Sequence, residues 1–218
     1  PEGEKMMRTY KVGSVLNTPG DIAQTPEAYD KFISELNRIA MEETGIPCLY
    51  GLDHIHGTSY IAGGTLFPQE INIGATFNRE HAYNVGKVTA YESRAADVPW
   101  SFSPTMDLGR NPEWPRMWES FGEDTYVNAE LAVAMTDGMQ GDDPKYWSTA
   151  TVMKHFLANS NEDGRTYTSS DFDEALFRDY YSYGFWKGVV DGGSRSLMTA
   201  YNKYNGIPCS TDDFIQEI

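Results

Sequence analysis

The sequence predicts an α/β fold, a parallel (β/α) barrel of the TIM type that is incomplete, with about five to six βα units present. Three observations carry this expectation. Apolar β-branched or aromatic runs alternate with amphipathic stretches, the phosphate-binding loops of open nucleotide-binding sheets are missing, and polar residues collect at the predicted strand ends.

The strand runs are 12–16, 47–55, 100–108, 150–158 and 195–202. Between them, 26–43, 79–96, 125–140 and 172–190 place apolar residues three and four apart, as helices packed on a sheet do. Thr25, Asn78, Asp124 and Asp171 mark the helix starts, because their side chains accept bonds from exposed backbone N–H groups. Gly45, Gly141 and Gly192 mark the ends, and 212–218 reads as one more helix beginning. Strands running one way need helical crossovers, which an open doubly wound sheet and a closed barrel both satisfy. Neither GxGxxG after the first strand nor GxxxxGK[ST] anywhere is present, so the barrel is favoured by elimination.

The chain has 218 residues, the size of one ordinary domain or part of a barrel. Hydrophobic residues make up 40% and aromatic residues 13%, enough for a core with rings to spare. A formal charge of −15, from 17 basic and 32 acidic residues, repels nucleic acid and anionic lipid. Rings together with excess carboxylate suit a neutral carbohydrate. Two cysteines, Cys48 and Cys209, make neither a disulfide framework nor a four-ligand zinc site, and are expected to be buried and inert. No 18-residue apolar run spans a membrane, and residues 1–8 do not read as a signal peptide.

Asp53, His54 and His56 end the second run, Asp107 and Arg110 the third, Lys154 and His155 the fourth, and Tyr201 and Asn202 the fifth. In a parallel barrel these ends converge on one mouth, where such barrels place their chemistry. A metal-dependent hydrolase is one reading, since His54 and His56 share a strand face opposite Lys154 and His155. The remaining histidine, His81, lies in a predicted helix, so the ligand count falls short and no metal or cofactor is expected.

The segments Gly51-Leu52-Asp53-His54-Ile55-His56-Gly57, Gly109-Arg110-Asn111-Pro112-Glu113-Trp114-Pro115-Arg116, Glu119-Ser120-Phe121-Gly122-Glu123-Asp124, Lys154-His155-Phe156, Met198-Thr199-Ala200-Tyr201-Asn202 and Asn205-Gly206-Ile207-Pro208 resemble, in order and spacing, glycoside hydrolase family 3, and its bacterial β-glucosidases in particular. The resemblance covers nearly the whole chain, read as one partial N-terminal barrel domain over 1–218. It implies retaining hydrolysis of terminal non-reducing β-D-glucosyl residues, with a neutral β-linked gluco-oligosaccharide or glucoside as partner. A β-xylosidase of the same family and a non-catalytic sugar-binding fragment are the alternatives.

Residue by residue, Asp53 resembles the carboxylate that accepts bonds from distal sugar hydroxyls, and Arg116 the arginine of the tryptophan motif, with Pro115 where the family more often has Gly. Lys154 and His155 resemble the pair gripping sugar hydroxyls, and Met198 and Tyr201 the pocket wall. Adjacent strand residues point to opposite faces, so Lys154 and His155 reach one sugar only where the strand bulges or twists. The family's nucleophile lies in a Ser-Asp-Trp-like segment, which this sequence does not contain. The expectation is thus a chain that holds sugar without hydrolysing it. The acid/base glutamate would come from a C-terminal α/β domain, and the resemblance favours a periplasmic or extracellular location. The loop 157–165 has no histidine, against the aminosugar-cleaving type, and Glu162 and Arg165 are expected to pair within it.

Overall fold

The computed structural model describes residues 2–160 and 166–217. Its elements run α1 (Glu2–Lys5), β1 (Ser14–Leu16), α2 (Pro26–Thr44), β2 (Leu49–Leu52), α3 (Glu70–Gly74), α4 (Arg79–Ala95), β3 (Trp100–Ser101), α5 (Thr125–Gln140), β4 (Ala150–Phe156), β5 (Ser169–Ser170), α6 (Glu174–Leu176), α7 (Tyr183–Val190), β6 (Ser196–Thr199), β7 (Lys203–Tyr204), β8 (Ile207–Pro208) and α8 (Asp213–Glu217). Strands β1, β2, β3, β4 and β6 lie side by side in that order, each neighbouring pair parallel. The sheet curls into a half-barrel, with α2, α4, α5 and α7 as its crossovers.

Each helix forms for reasons local to its sequence. In α2 the buried residues Tyr29, Ile33, Leu36, Ile39 and Ala40 recur every three or four positions. Thr25 Oγ1 accepts from Ala28 N–H at 3.3 Å, and Gly45 closes the helix at φ 72°. Asn78 and Asp124 cap α4 and α5 through Glu80 N–H at 2.9 Å and Val127 N–H at 2.8 Å. Two apolar clusters result. One packs Met135, Met139, Met153, Phe156 and Phe185 between α5, α7 and the sheet; the other gathers Tyr29, Ile33, Cys48, Tyr50 and Val98 around α2. Both cysteines are buried, and burial raises both thiol pKa values.

Three expectations about the elements are corrected. The run 100–108 is not one strand: regular pairing stops at Ser101, and farther on Pro104, with no N–H to give, contributes no donor to a ladder. The chain from Ser101 to Gly109 stays buried and crosses β4 by single bonds. The fourth helical stretch starts at Glu174, where Asp173 rather than Asp171 caps Leu176 N–H at 2.9 Å, and a π-helical turn at Phe177–Tyr181 divides it. Asp171 instead accepts the Ser169 hydroxyl. Gly193, at φ 61°, adopts the left-handed turn expected of Gly192, which is buried against Thr136. The small sheet β5–β7–β8 had no expected counterpart.

Helices α4 and α5 touch backbone to backbone. A Cβ at Gly138 would meet the Tyr83 carbonyl oxygen, and one at Gly86 the Met135 carbonyl oxygen. Gly138→Ala should therefore cost about 1–3 kcal/mol through forced separation of the helices. Gly13→Ala, which meets nothing within 4 Å, should change stability little. Urea denaturation midpoints of the two variants check the contrast.

Candidate functional site

Lys154 lies near the end of β4 with its side chain 2% exposed, and its ammonium pairs with Asp53 just past the end of β2. A lysine so deeply buried requires a partner, since an isolated charge loses its hydration without return. Asp53 is 30% exposed on its side chain, and its Oδ2 has no hydrogen-bond partner among the described residues. One carboxylate thus neutralises the lysine and presents an acceptor outward.

His155, the next residue, turns to a different set. Its Nδ1 lies 2.6 Å from Asp107 Oδ2, its Nε2 is 3.4 Å from Arg116 Nη1, and Asn159 Nδ2 approaches at 3.4 Å. Arg116 in turn forks onto Glu119, Nε to Oε1 at 2.8 Å and Nη2 to Oε2 at 2.5 Å. The register between β4 and β6 shifts between Lys154 and Phe156, the bulge that two neighbouring residues need to reach one site. The Lys154–His155 peptide is cis.

The two halves of the network share neighbours. Tyr60, whose hydroxyl pKa is raised mainly by burial, also feels the charges of both Asp53 and Glu119. Glu70 lies close enough to feel Glu119, Lys154 and Asp107 together. Asp53, Arg116, Lys154 and His155 are therefore brought to one place. Met198 is half-buried and pairs in register with Lys154 across β4–β6, on the same face of the sheet. Tyr201 follows β6 at the same end and is 65% exposed.

Other sequence candidates go elsewhere. His54 is fully buried against Ser93 Oγ, 2.7 Å from its Nδ1, whereas His56 Nδ1 meets the Phe67 carbonyl at 2.7 Å. The strand ends at Leu52, so the alternation that put both imidazoles on one face does not reach them. Among the described residues no three His, Cys, Asp or Glu side chains form a metal-holding group. Arg110 stacks over Tyr180 at 4.6 Å. Glu162 and Arg165 lie outside the described residues. Sequence reasoning assigned no role to Asp107, Glu119, Asn159 or Glu70. An Asp closing an apolar run signalled the first, and i,i+3 spacing from Arg116 the second.

The model of the glycosyl hydrolase family 3 N-terminal domain matches residues 1–216. The chain belongs to glycoside hydrolase family 3. A lysosomal β-glucosidase of Dictyostelium discoideum is 32% identical over 94% of the chain, which spans 27% of that protein. Among solved structures, an exo-1,3/1,4-β-glucanase from a Pseudoalteromonas species superposes with a TM-score of 0.87 at 31% identity, covering 98% of this chain and 29% of that one. A β-glucosidase of Listeria innocua in complex with glucose gives 0.81 at 29% identity, covering 94% and 27%. This family 3 chain thus spans about a quarter of the length of such relatives.

Beside the site, burial lowers the His54 pKa from the usual 6.5 to about 4, against the pull of Asp53 and Glu92. The folded protein holds His54 neutral while the unfolded chain takes a proton below about pH 6.5. Stability from this residue is full above that value and is lost as pH falls towards 4, by on the order of 3 kcal/mol. Chemical denaturation at pH 7 and pH 4.5 should show the loss, and His54→Gln should show less of it.

Proposed function

We propose that the chain is the sugar-holding part of an enzyme of retaining hydrolysis of terminal non-reducing β-D-glucosyl residues, and that its Asp53, Arg116, Lys154 and His155 hold the hydroxyls of the terminal sugar. The observation that carries this reading is the convergence of those four side chains, as the bonded pairs Lys154–Asp53 and His155–Arg116, at the strand ends of a family 3 half-barrel. The substrate class is a neutral β-linked gluco-oligosaccharide or glucoside, in line with relatives named β-glucosidase and a structural neighbour holding glucose.

The chemistry of the side chains suits the task. A sugar hydroxyl both donates and accepts, so a pocket that fixes it needs acceptors and donors side by side. Asp53 Oδ2 is placed to accept, while Lys154, already paired, and Arg116, held as a fork by Glu119, are donors of defined direction. Met198 and Tyr201 are assigned to the pocket wall, the first from its register beside Lys154 and the second as an exposed ring at the β6 end. Retaining hydrolysis also needs a nucleophilic and a proton-donating carboxyl about 5 Å apart. Neither role is assigned to Asp53, Asp107, Glu119 or Glu70, each of which is engaged with a side chain or backbone of the site. The acid/base glutamate is assigned to a C-terminal α/β domain.

Asp53→Asn and Asp53→Ala should each raise the Kd for glucose about a hundredfold or more, because charge-assisted bonds to the hydroxyls are lost. Isothermal titration with glucose measures this, circular dichroism confirms the fold, and xylose serves as the second ligand. Unchanged glucose affinity in both folded variants would refute the assignment, and tighter binding of xylose than of glucose would move the reading to a β-xylosidase.

A further inference from the structure

Glu70, at the start of α3, is fully buried, yet the sugar-holding chemistry above does not use it. Its Oε1 accepts from the Thr105 backbone N–H at 3.3 Å, and its Oε2 has no partner among the described residues. Thr105 is bridged in parallel to Lys154. On either side of it, the Pro104 carbonyl accepts from Lys154 N–H at 3.2 Å and Met106 N–H donates to the Lys154 carbonyl at 2.5 Å. Glu70 thus grips the middle of a segment whose two flanks are bonded to the residue carrying the site's ammonium. Asp107, the partner of His155, comes two residues after Thr105.

We propose that Glu70 is a positioning residue for the sugar site: through Thr105 it holds the segment 104–107 against β4, and so sets where Lys154 meets Asp53 and where Asp107 meets His155. The inference rests on the glucoside reading above, since it assigns Glu70 to the same network.

The surroundings decide the form in which Glu70 acts. Facing it are Glu119 from the turn at Met117–Glu119, Asp107 from the segment after β3 and the Lys154 ammonium from β4. Burial above all, with the two carboxylates, pushes its pKa well above the ordinary range, against the opposing pull of the Thr105 N–H and Lys154. As a neutral carboxyl it keeps its bond to Thr105 without adding a further negative charge to Asp53, Asp107 and Glu119, which already face Lys154, Arg116 and His155. Ionised, it would compete with Asp53 for Lys154. The unfolded chain gives up this proton near the ordinary value of about 4.3, so the folded state is favoured by it in full only below that value. That advantage is lost as pH rises towards the folded pKa.

The test is isothermal titration of glucose into the unsubstituted protein, Glu70→Ala and Glu70→Gln over a pH series, with thermal midpoints recorded alongside. Glu70→Ala should weaken glucose binding about tenfold, and Glu70→Gln, which keeps an acceptor oxygen, should recover most of that. Affinity of the unsubstituted protein should fall as pH rises and that of Glu70→Gln should fall less. The thermal midpoint of Glu70→Gln should gain on the unsubstituted protein over the same range. Where Glu70→Ala does not fold, the Glu70→Gln profile decides. Glucose affinities in the folded variants that match the unsubstituted protein at every pH overturn the proposal while leaving the glucoside reading intact. An unsubstituted protein that binds no glucose, or binds it equally well after Asp53→Ala, overturns that reading and this proposal together.

Discussion

The arrangement of the site depends on one buried cation. Lys154 is nearly inaccessible, and burying an unpaired ammonium costs several kcal/mol even after relaxation. Its partner Asp53 sits at the end of β2, which is not a neighbour of β4 in the sheet, so the pair spans the short strand β3 between them. The chain after β3 is pinned to the same residue by Pro104 and Met106. Three strand ends are therefore tied through a single position, and the loops that follow them inherit its placement.

The bulge at that position decides what the next residue can do. In regular β structure Lys154 and His155 would face opposite sides, one towards the helices and one into the barrel. The register shift towards Phe156 instead gives His155 to Asp107 and Arg116, while Phe156 packs outward against Phe177 and Phe185. The same stretch of backbone thus serves the core and the polar mouth within three residues.

Much of the scaffold was legible because its signals are local and repeated. Helices α2, α4 and α5 begin at side chains that cap them, and their apolar spacing runs for four or more turns. Strand ends were legible as charged residues interrupting apolar runs, which is how Asp53, Lys154 and His155 stood out. Arg116 lies in a loop, where composition alone assigns nothing, and only the likeness to a family singled it out. The irregular parts left weaker traces. Two-residue strands such as β5, β7 and β8 are too short for any period, and the path through Pro104 keeps the apolar composition of a strand without its pairing. Glu70 and Glu119 read as ordinary surface carboxylates in sequence, because what buries them is the loop at 117–121 folding over α3, with Gly74 under the Phe121 carbonyl.

The balance of charges in the network also constrains what the site can hold. Asp53 pairs with Lys154, Glu119 with Arg116, and Asp107 is hydrogen-bonded to His155, so the polar groups are largely engaged with one another before any ligand arrives. An anionic ligand would meet three carboxylates around cations already paired, and a cationic one would have to displace a lysine or an arginine from a partner it cannot leave without cost. A neutral polyol faces neither penalty. It needs lone pairs and N–H groups held in fixed directions, and side chains that orient one another provide these.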